Sequence, residues 1–129
     1  KRIAEKTVAF MTENFGSDPR DIHAVIGPGI TMKNFEVGQE VYDAFADAVF
    51  DMPSIARRMP VMKALPGGPS EKWHIDLPQC NRLQLISAGL NDENISLSGI
   101  DTYDNQDDYF SARRLKTGFG TMYTGIFMH

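Results

Sequence analysis

Apolar positions in this chain alternate between a helical period and short β-branched runs, and that alternation sets the expected elements. Ala4, Val8, Met11 and Phe15 fall on one face at helical spacing, with Glu5, Thr12 and Glu13 off it. Gly16 and then Ser17-Asp18-Pro19 supply a stop, while no capping residue supplies a start. A helix with a stop and no start leads us to expect that residues 1–129 form one domain, the C-terminal portion of a larger one. Residues 22–26 (Ile-His-Ala-Val-Ile) read as a buried strand broken by Gly27-Pro28-Gly29. Phe35-Glu36-Val37-Gly38 leads into a second helix, about 39–50, with Val41, Phe45, Ala48 and Val49 as its apolar face. Residues 54–58 are expected to add a helical turn, with Arg57 and Arg58 solvated. Residues 63–72 hold two prolines and two glycines, Pro66-Gly67-Gly68-Pro69, and are expected to form an exposed, mobile loop.

Beyond that loop, residues 73–77 read as a strand. Pro78 then opens a helix that buries Leu83, Leu85 and Ile86 and stops at Gly89. Residues 95–100 alternate as a further strand, and 119–128, with Gly120 and Gly125, complete the sheet. Helices alternating with strands favour an α/β layered domain over a bundle.

Composition narrows the function. A net charge of -4 argues against broad nucleic-acid or anionic-membrane binding. No apolar run approaches the roughly 20 residues that span a bilayer. The single cysteine, Cys80, excludes an internal disulfide and suits the reducing cytoplasm. Cys80 lies in a first helical turn, where a thiol pKa can fall, and His74 is the nearby base. A structural cysteine is nevertheless the commoner reading. His23, inside a strand pattern, is more often a satisfied structural histidine than a ligand.

The densest chemistry lies in Asp108-Tyr109-Phe110-Ser111-Ala112-Arg113-Arg114, which follows the acidic run 101–107 and leads to Lys116-Thr117-Gly118. Adjacent guanidiniums present planar forks suited to carboxylate or phosphate. If the segment is extended, Arg113 and Arg114 point to opposite faces. One then meets ligand while the other pairs with Asp107 or Asp108. Arg113, which shares a face with Ser111 and Tyr109, is favoured for the ligand. Tyr109 or Phe110 can stack on a planar base, although in a strand such rings are more often core.

Three islands together resemble the YfiH-type family, known both as laccase-domain or multicopper polyphenol oxidase proteins and as purine nucleoside phosphorylases. They are His23-Ala24-Val25-Ile26-Gly27-Pro28 with Phe35-Glu36-Val37-Gly38, then His74-Ile75-Asp76-Leu77 with Asn81, then Tyr109 to Arg114 with Lys116-Thr117-Gly118. The resemblance implies an α/β, layered α/β/β/α fold with mixed sheets. It implies phosphorolysis of adenosine or inosine, with adenosine deamination also open, at a zinc held by two histidines and a cysteine. Those three residues are expected upstream of this chain, the last histidine in a His-x-Gly-Trp-Arg-Gly motif. The chain itself is thus expected to hold no metal and no catalytic residue. Arg113, Arg114 and Ser111 are left as its substrate- and phosphate-binding residues. Purine nucleoside, phosphate and the upstream part of the same domain are the implied partners, with copper the alternative metal. Polyphenol oxidation, peptidoglycan-precursor editing and a catalytically silent fragment are the competing readings. The chain departs from the family at Asp101-Thr102, where Cys-Thr is common, and at Phe119, where an arginine follows Thr-Gly.

Overall fold

The computed structural model describes residues 1–105, 107–109, 111 and 113. Along these residues run α1 (Ile3–Phe15), β1 (Ala24–Ile26), β2 (Glu36–Val37), α2 (Gln39–Asp47), α3 (Met52–Ile55), β3 (Ala56–Pro60), β4 (Glu71–Ile75), α4 (Leu77–Ser87) and β5 (Ile95–Leu97). Short 3-10 turns lie at Pro19–Asp21 and Asp92–Asn94. Two sheets result. β1 and β5 pair in parallel, from Ala24 opposite Ile95 to Ile26 opposite Leu97. β2, β4 and β3 form an antiparallel sheet with β4 in the centre. This is the mixed α/β architecture expected.

Each sheet has its own core, and α4 serves both. Around β4, Val37, Met52, Ile55, Ala56, Ile75 and Cys80 are buried, flanked by Phe35, Val41, Tyr42, Phe45 and Trp73. Around β1 and β5, Val8, Leu85, Leu90 and Ile95 are buried, with Ala4, Ile22, Ala24 and Ile26 half-covered. Helix α4 sends Cys80 into the first and Leu85 into the second. Burying an aliphatic side chain of this size is worth about 1.5–3 kcal/mol, so each core is held mainly by a few such residues. Asp76 caps α4 by accepting from Gln79 N–H at 3.0 Å, and Pro78 sits in the first turn, where its missing N–H costs nothing. Gly89 follows at φ 110°, close enough to Pro19 that a Cβ would come within 3.0 Å of its ring.

Several boundaries differ from the sequence expectation. α1 ends at Gly16, φ 66°, as expected, and Arg2 before it makes no side-chain cap bond. Its expected apolar face thins along the helix: Val8 is buried, but Phe15 is 74% exposed and meets only Phe10 edge-on among aromatic rings. The strand expected at 22–26 is shorter and not buried throughout. His23 precedes it and is exposed, and Val25 is 73% exposed, its side chain standing on a sheet face that the described residues leave open. α2 stops at Asp47 rather than near 50, since Val49 turns left-handed at φ 63° and is exposed. A valine in a position normally given to glycine carries no stop signal in the sequence.

The helical turn expected at 54–58 is instead α3 followed by β3, whose Arg57 and Arg58 are exposed as expected. β4 opens at Glu71, so the exposed loop between β3 and β4 covers residues 61–70 and closes a hairpin through Val61 N–H to Ser70 O at 3.1 Å. α4 begins at Leu77, where the strand was expected to end, and Ile86 is 37% exposed rather than buried. β5 ends at Leu97 rather than 100. The strand expected at 119–128 lies outside the described residues. Among those residues, no helix is long and apolar enough to cross a membrane.

Candidate functional site

The loop between β1 and β2, residues 27–35, is where distant parts of the chain converge. Gly27-Pro28-Gly29 does more than break the strand: Gly29 continues the parallel ladder as a bridge to Asp101, through Gly29 N–H to Ile100 O and Thr102 N–H to Gly29 O. Asp101 is then drawn inside, 7% exposed. One carboxylate oxygen accepts from Thr31 N–H at 3.0 Å, from the Thr31 hydroxyl, and from Asn34 Nδ2 at 3.0 Å. The other accepts from the N–H groups of Tyr103 at 2.7 Å and Asp104 at 3.4 Å. Burial alone would push this carboxyl up. The bonds from Thr31 and Asn34, with the backbone N–H groups of Thr31 and Tyr103, outweigh it and hold the pKa below the ordinary carboxylate value. Lys33 pairs with Asp104 at 3.1 Å on the surface above. The expected acidic, turn-rich run is present, but its first carboxylate is a buried knot rather than a solvated charge.

A second knot lies one turn of chain away. His74, 1% exposed, places Nδ1 2.7 Å from Met32 O. Its register partner Glu36 points Oε2 to 3.6 Å from Nε2 and also accepts from Met62 N–H at 2.8 Å. Arg113 closes the group. Its Nη1 donates to Glu36 O at 2.8 Å, and its guanidinium carbon lies 5.2 Å from the centre of the Phe35 ring. Arg113 is exposed, so the rest of its fork faces outward.

The predicted site residues divide accordingly. Arg113 sits on the Phe35-Glu36 island, an association that spacing along the chain does not give. It has no carboxylate partner among the described residues, and its backbone is helical where an extended run was expected. Ser111 is buried, 5% exposed. Arg114, Phe110, Phe119 and Lys116-Thr117-Gly118 lie outside the described residues. Cys80 is buried, and that desolvation, with the Asp76 charge second, pushes its thiol up to about 12. The helix N-terminus does not prevail, so no thiolate nucleophile forms. Asp101, Glu36 and the placement of Arg113 escaped the sequence reading. The only signal was Asp101 itself, standing where a cysteine is common.

Two concavities adjoin this loop. A cavity of about 270 Å³ opens at the carboxyl ends of β1 and β5, lined by Thr31, Met32, Lys33, Asp76 and Ser98 among others. It lies just under the roughly 300–1,000 Å³ usual for a drug-sized ligand. A wider apolar groove of about 630 Å³ runs between α1, β1 and α4, past Val8, Val25, Ile26, Leu77 and Leu85. Among the described residues no three of His, Cys, Asp and Glu converge as metal ligands. Cys80 and His74 point into separate surroundings, the first into the β4 core and the second at Met32 O, so the described residues assemble no set of zinc ligands.

Comparison with known proteins places these features. The sequence matches the family described as "Multi-copper polyphenol oxidoreductase laccase" over residues 1–129. It is 41% identical over 127 residues to a purine nucleoside phosphorylase of Bacteroides thetaiotaomicron, covering 98% of this chain and 44% of that protein. It is 37% identical over 126 residues to "Adenosine deaminase RL5" of an unknown prokaryotic organism, covering 98% of this chain and 45% of that one. The fold is similar to the crystal structure of Bacillus licheniformis hypothetical protein YfiH, with TM-score 0.74 and 26% identity, over 89% of this chain and 40% of that one. The chain thus spans under half the length of these relatives.

Proposed function

We infer, from the premise that this chain belongs to the multi-copper polyphenol oxidoreductase laccase family, that it forms part of a purine nucleoside phosphorylase acting on adenosine or inosine. In that reaction a phosphate oxygen bonds to the anomeric carbon, the bond from that carbon to the purine nitrogen breaks, and the base leaves with a proton. The observation that carries the reading is Arg113. Its fork is anchored by one N–H at Glu36 O and braced on Phe35, with the remaining donors outward. An anchored guanidinium can hold phosphate bidentately, supplying position and charge rather than covalent chemistry. A metal, zinc or alternatively copper, would be held by residues outside this chain and would supply Lewis-acid chemistry there.

The test is phosphate-dependent release of free base from adenosine and inosine by the full-length protein. Base and ribose 1-phosphate are expected in equal amounts, with Arg113→Ala lowering turnover more than tenfold, the scale for losing a charged hydrogen bond of about 1.5–3 kcal/mol. Ammonia release without phosphate would favour the second reading, adenosine deamination, which the relative of that name supports. Oxygen-dependent turnover of phenols alone would overturn both.

A further inference from the structure

His74 carries an unresolved polar atom. Its Nδ1 lies 2.7 Å from a carbonyl, Met32 O, and since a carbonyl only accepts, Nδ1 carries a hydrogen. Its Nε2 is fully buried and has no hydrogen-bond partner. The nearest acid is Glu36, whose Oε2 stands 3.6 Å away and whose side chain is 17% exposed. Were both groups to lack a proton there, a bare nitrogen lone pair would face a carboxylate in a buried setting. That arrangement is repulsive and leaves a polar atom unpaired. One proton between them turns that repulsion into attraction, and a small approach from 3.6 Å would complete a hydrogen bond. The surrounding charges are Lys72, 4.0 Å from the other Glu36 oxygen, and Arg57, opposite His74 in the β3–β4 register.

We propose that His74 and Glu36 share a proton and act as a buried latch that positions Arg113 for its anion. The connection runs through Glu36. β2 is only two residues long and pairs with β4 over those two positions, so the Glu36 side chain adds to a short backbone ladder. The Glu36 carboxylate is fixed by Met62 N–H from the hairpin loop and by His74 from β4. The Glu36 carbonyl then receives Arg113. Releasing the latch leaves the guanidinium its charge but removes the fixed acceptor that aims it. This role of Glu36 and His74 as positioning residues rests on reading Arg113 as the phosphate clamp.

The test uses the full-length protein. Glu36→Ala should raise the KM for phosphate about tenfold while leaving that for nucleoside nearly unchanged, since misaiming one charged contact costs on that scale. Glu36→Gln should restore most of the loss, because a carboxamide oxygen can accept from Met62 N–H while its NH₂ donates to His74 Nε2. Glu36→Ala added to Arg113→Ala should have no further effect. If Arg113→Ala raises the phosphate KM and Glu36→Ala does not, the latch fails while the clamp survives. If Arg113→Ala leaves it unchanged, the clamp itself fails. The proton is tested without any assay, by imidazole nitrogen NMR on histidine-labelled protein. Nε2 should shift toward a bare imine nitrogen on Glu36→Ala, and an identical signal in both proteins would overturn the shared proton.

Discussion

The two cores are built from similar residues and differ in how they close. The antiparallel sheet is sealed on its inner face, with Ile75 at 0% and Ile55 at 1% exposure, and with Tyr42 stacked on Trp73 at 4.1 Å. The parallel pair is open: Val25 is 73% exposed, Leu97 46%, and an apolar groove follows β1. Parallel strands are normally covered on both faces. An apolar residue therefore has a different value in each region. In the first it is already removed from water; in the second it is still largely in contact with it. The 27–35 loop, whose Thr31 and Asn34 hold the buried Asp101 and whose Met32 meets His74, joins the two sheets, and the chain spends its polar bonds where its apolar contacts thin out.

The comparison breaks most visibly at Ile75. Truncation to alanine should cost about 2–5 kcal/mol, the range for a large-to-small change in a packed core. Denaturant unfolding would measure it, and a loss under 1 kcal/mol would mean the sealed core can collapse around the hole. Next in size is Asp101→Ala, which strands Asn34 and the N–H groups of Thr31 and Tyr103 and should cost about 2–3 kcal/mol. Because the folded carboxyl titrates below its ordinary value, its contribution is complete above about pH 4 and is lost as pH falls through the lower folded value. Stability of the wild type should therefore fall on acidification in that window, and Asp101→Asn should flatten the slope.

Val49→Gly tests the sealed side in the other direction. Relieving a β-branched residue at φ 63° should gain about 1 kcal/mol, offset in part by the freer unfolded glycine. The smallest effect is expected at Val25→Ser in the isolated chain: under about 0.5 kcal/mol by thermal or denaturant unfolding, as for a surface site. In the full-length protein the same substitution should cost more. Equal effects in the two contexts would count against a cover seated on β1.

Helix periods and stops were legible: α1 ends at Gly16, α4 opens around Pro78, and the loop holding Pro66-Gly67-Gly68-Pro69 is exposed. β3 was not, because Arg57 and Arg58 flank an edge without alternation and resemble a solvated helix face. The end of α2 was hidden by Val49 for the reason given above. Of the site, Arg113 was visible as a charge but not as a positioned one. Its anchor is a backbone carbonyl 77 residues earlier, and a carbonyl leaves no mark in composition. Asp101 was hidden in the same way: Thr31 and Asn34 stand 70 and 67 positions from it.

The pairing of β1 with β5 also sets an order of events in time. β3 and β4 are neighbours in sequence, joined only by residues 61–70, so their hairpin closes early, at microsecond rates typical of local contacts. β1 must wait for β5 from nearly the far end of the described chain, and loop-closure entropy delays such pairings. Until they meet, the unpaired edges of both strands stand open to other chains. Refolding at rising concentration should therefore lose yield through intermolecular strand pairing at β1, with the hairpin already formed in the aggregates.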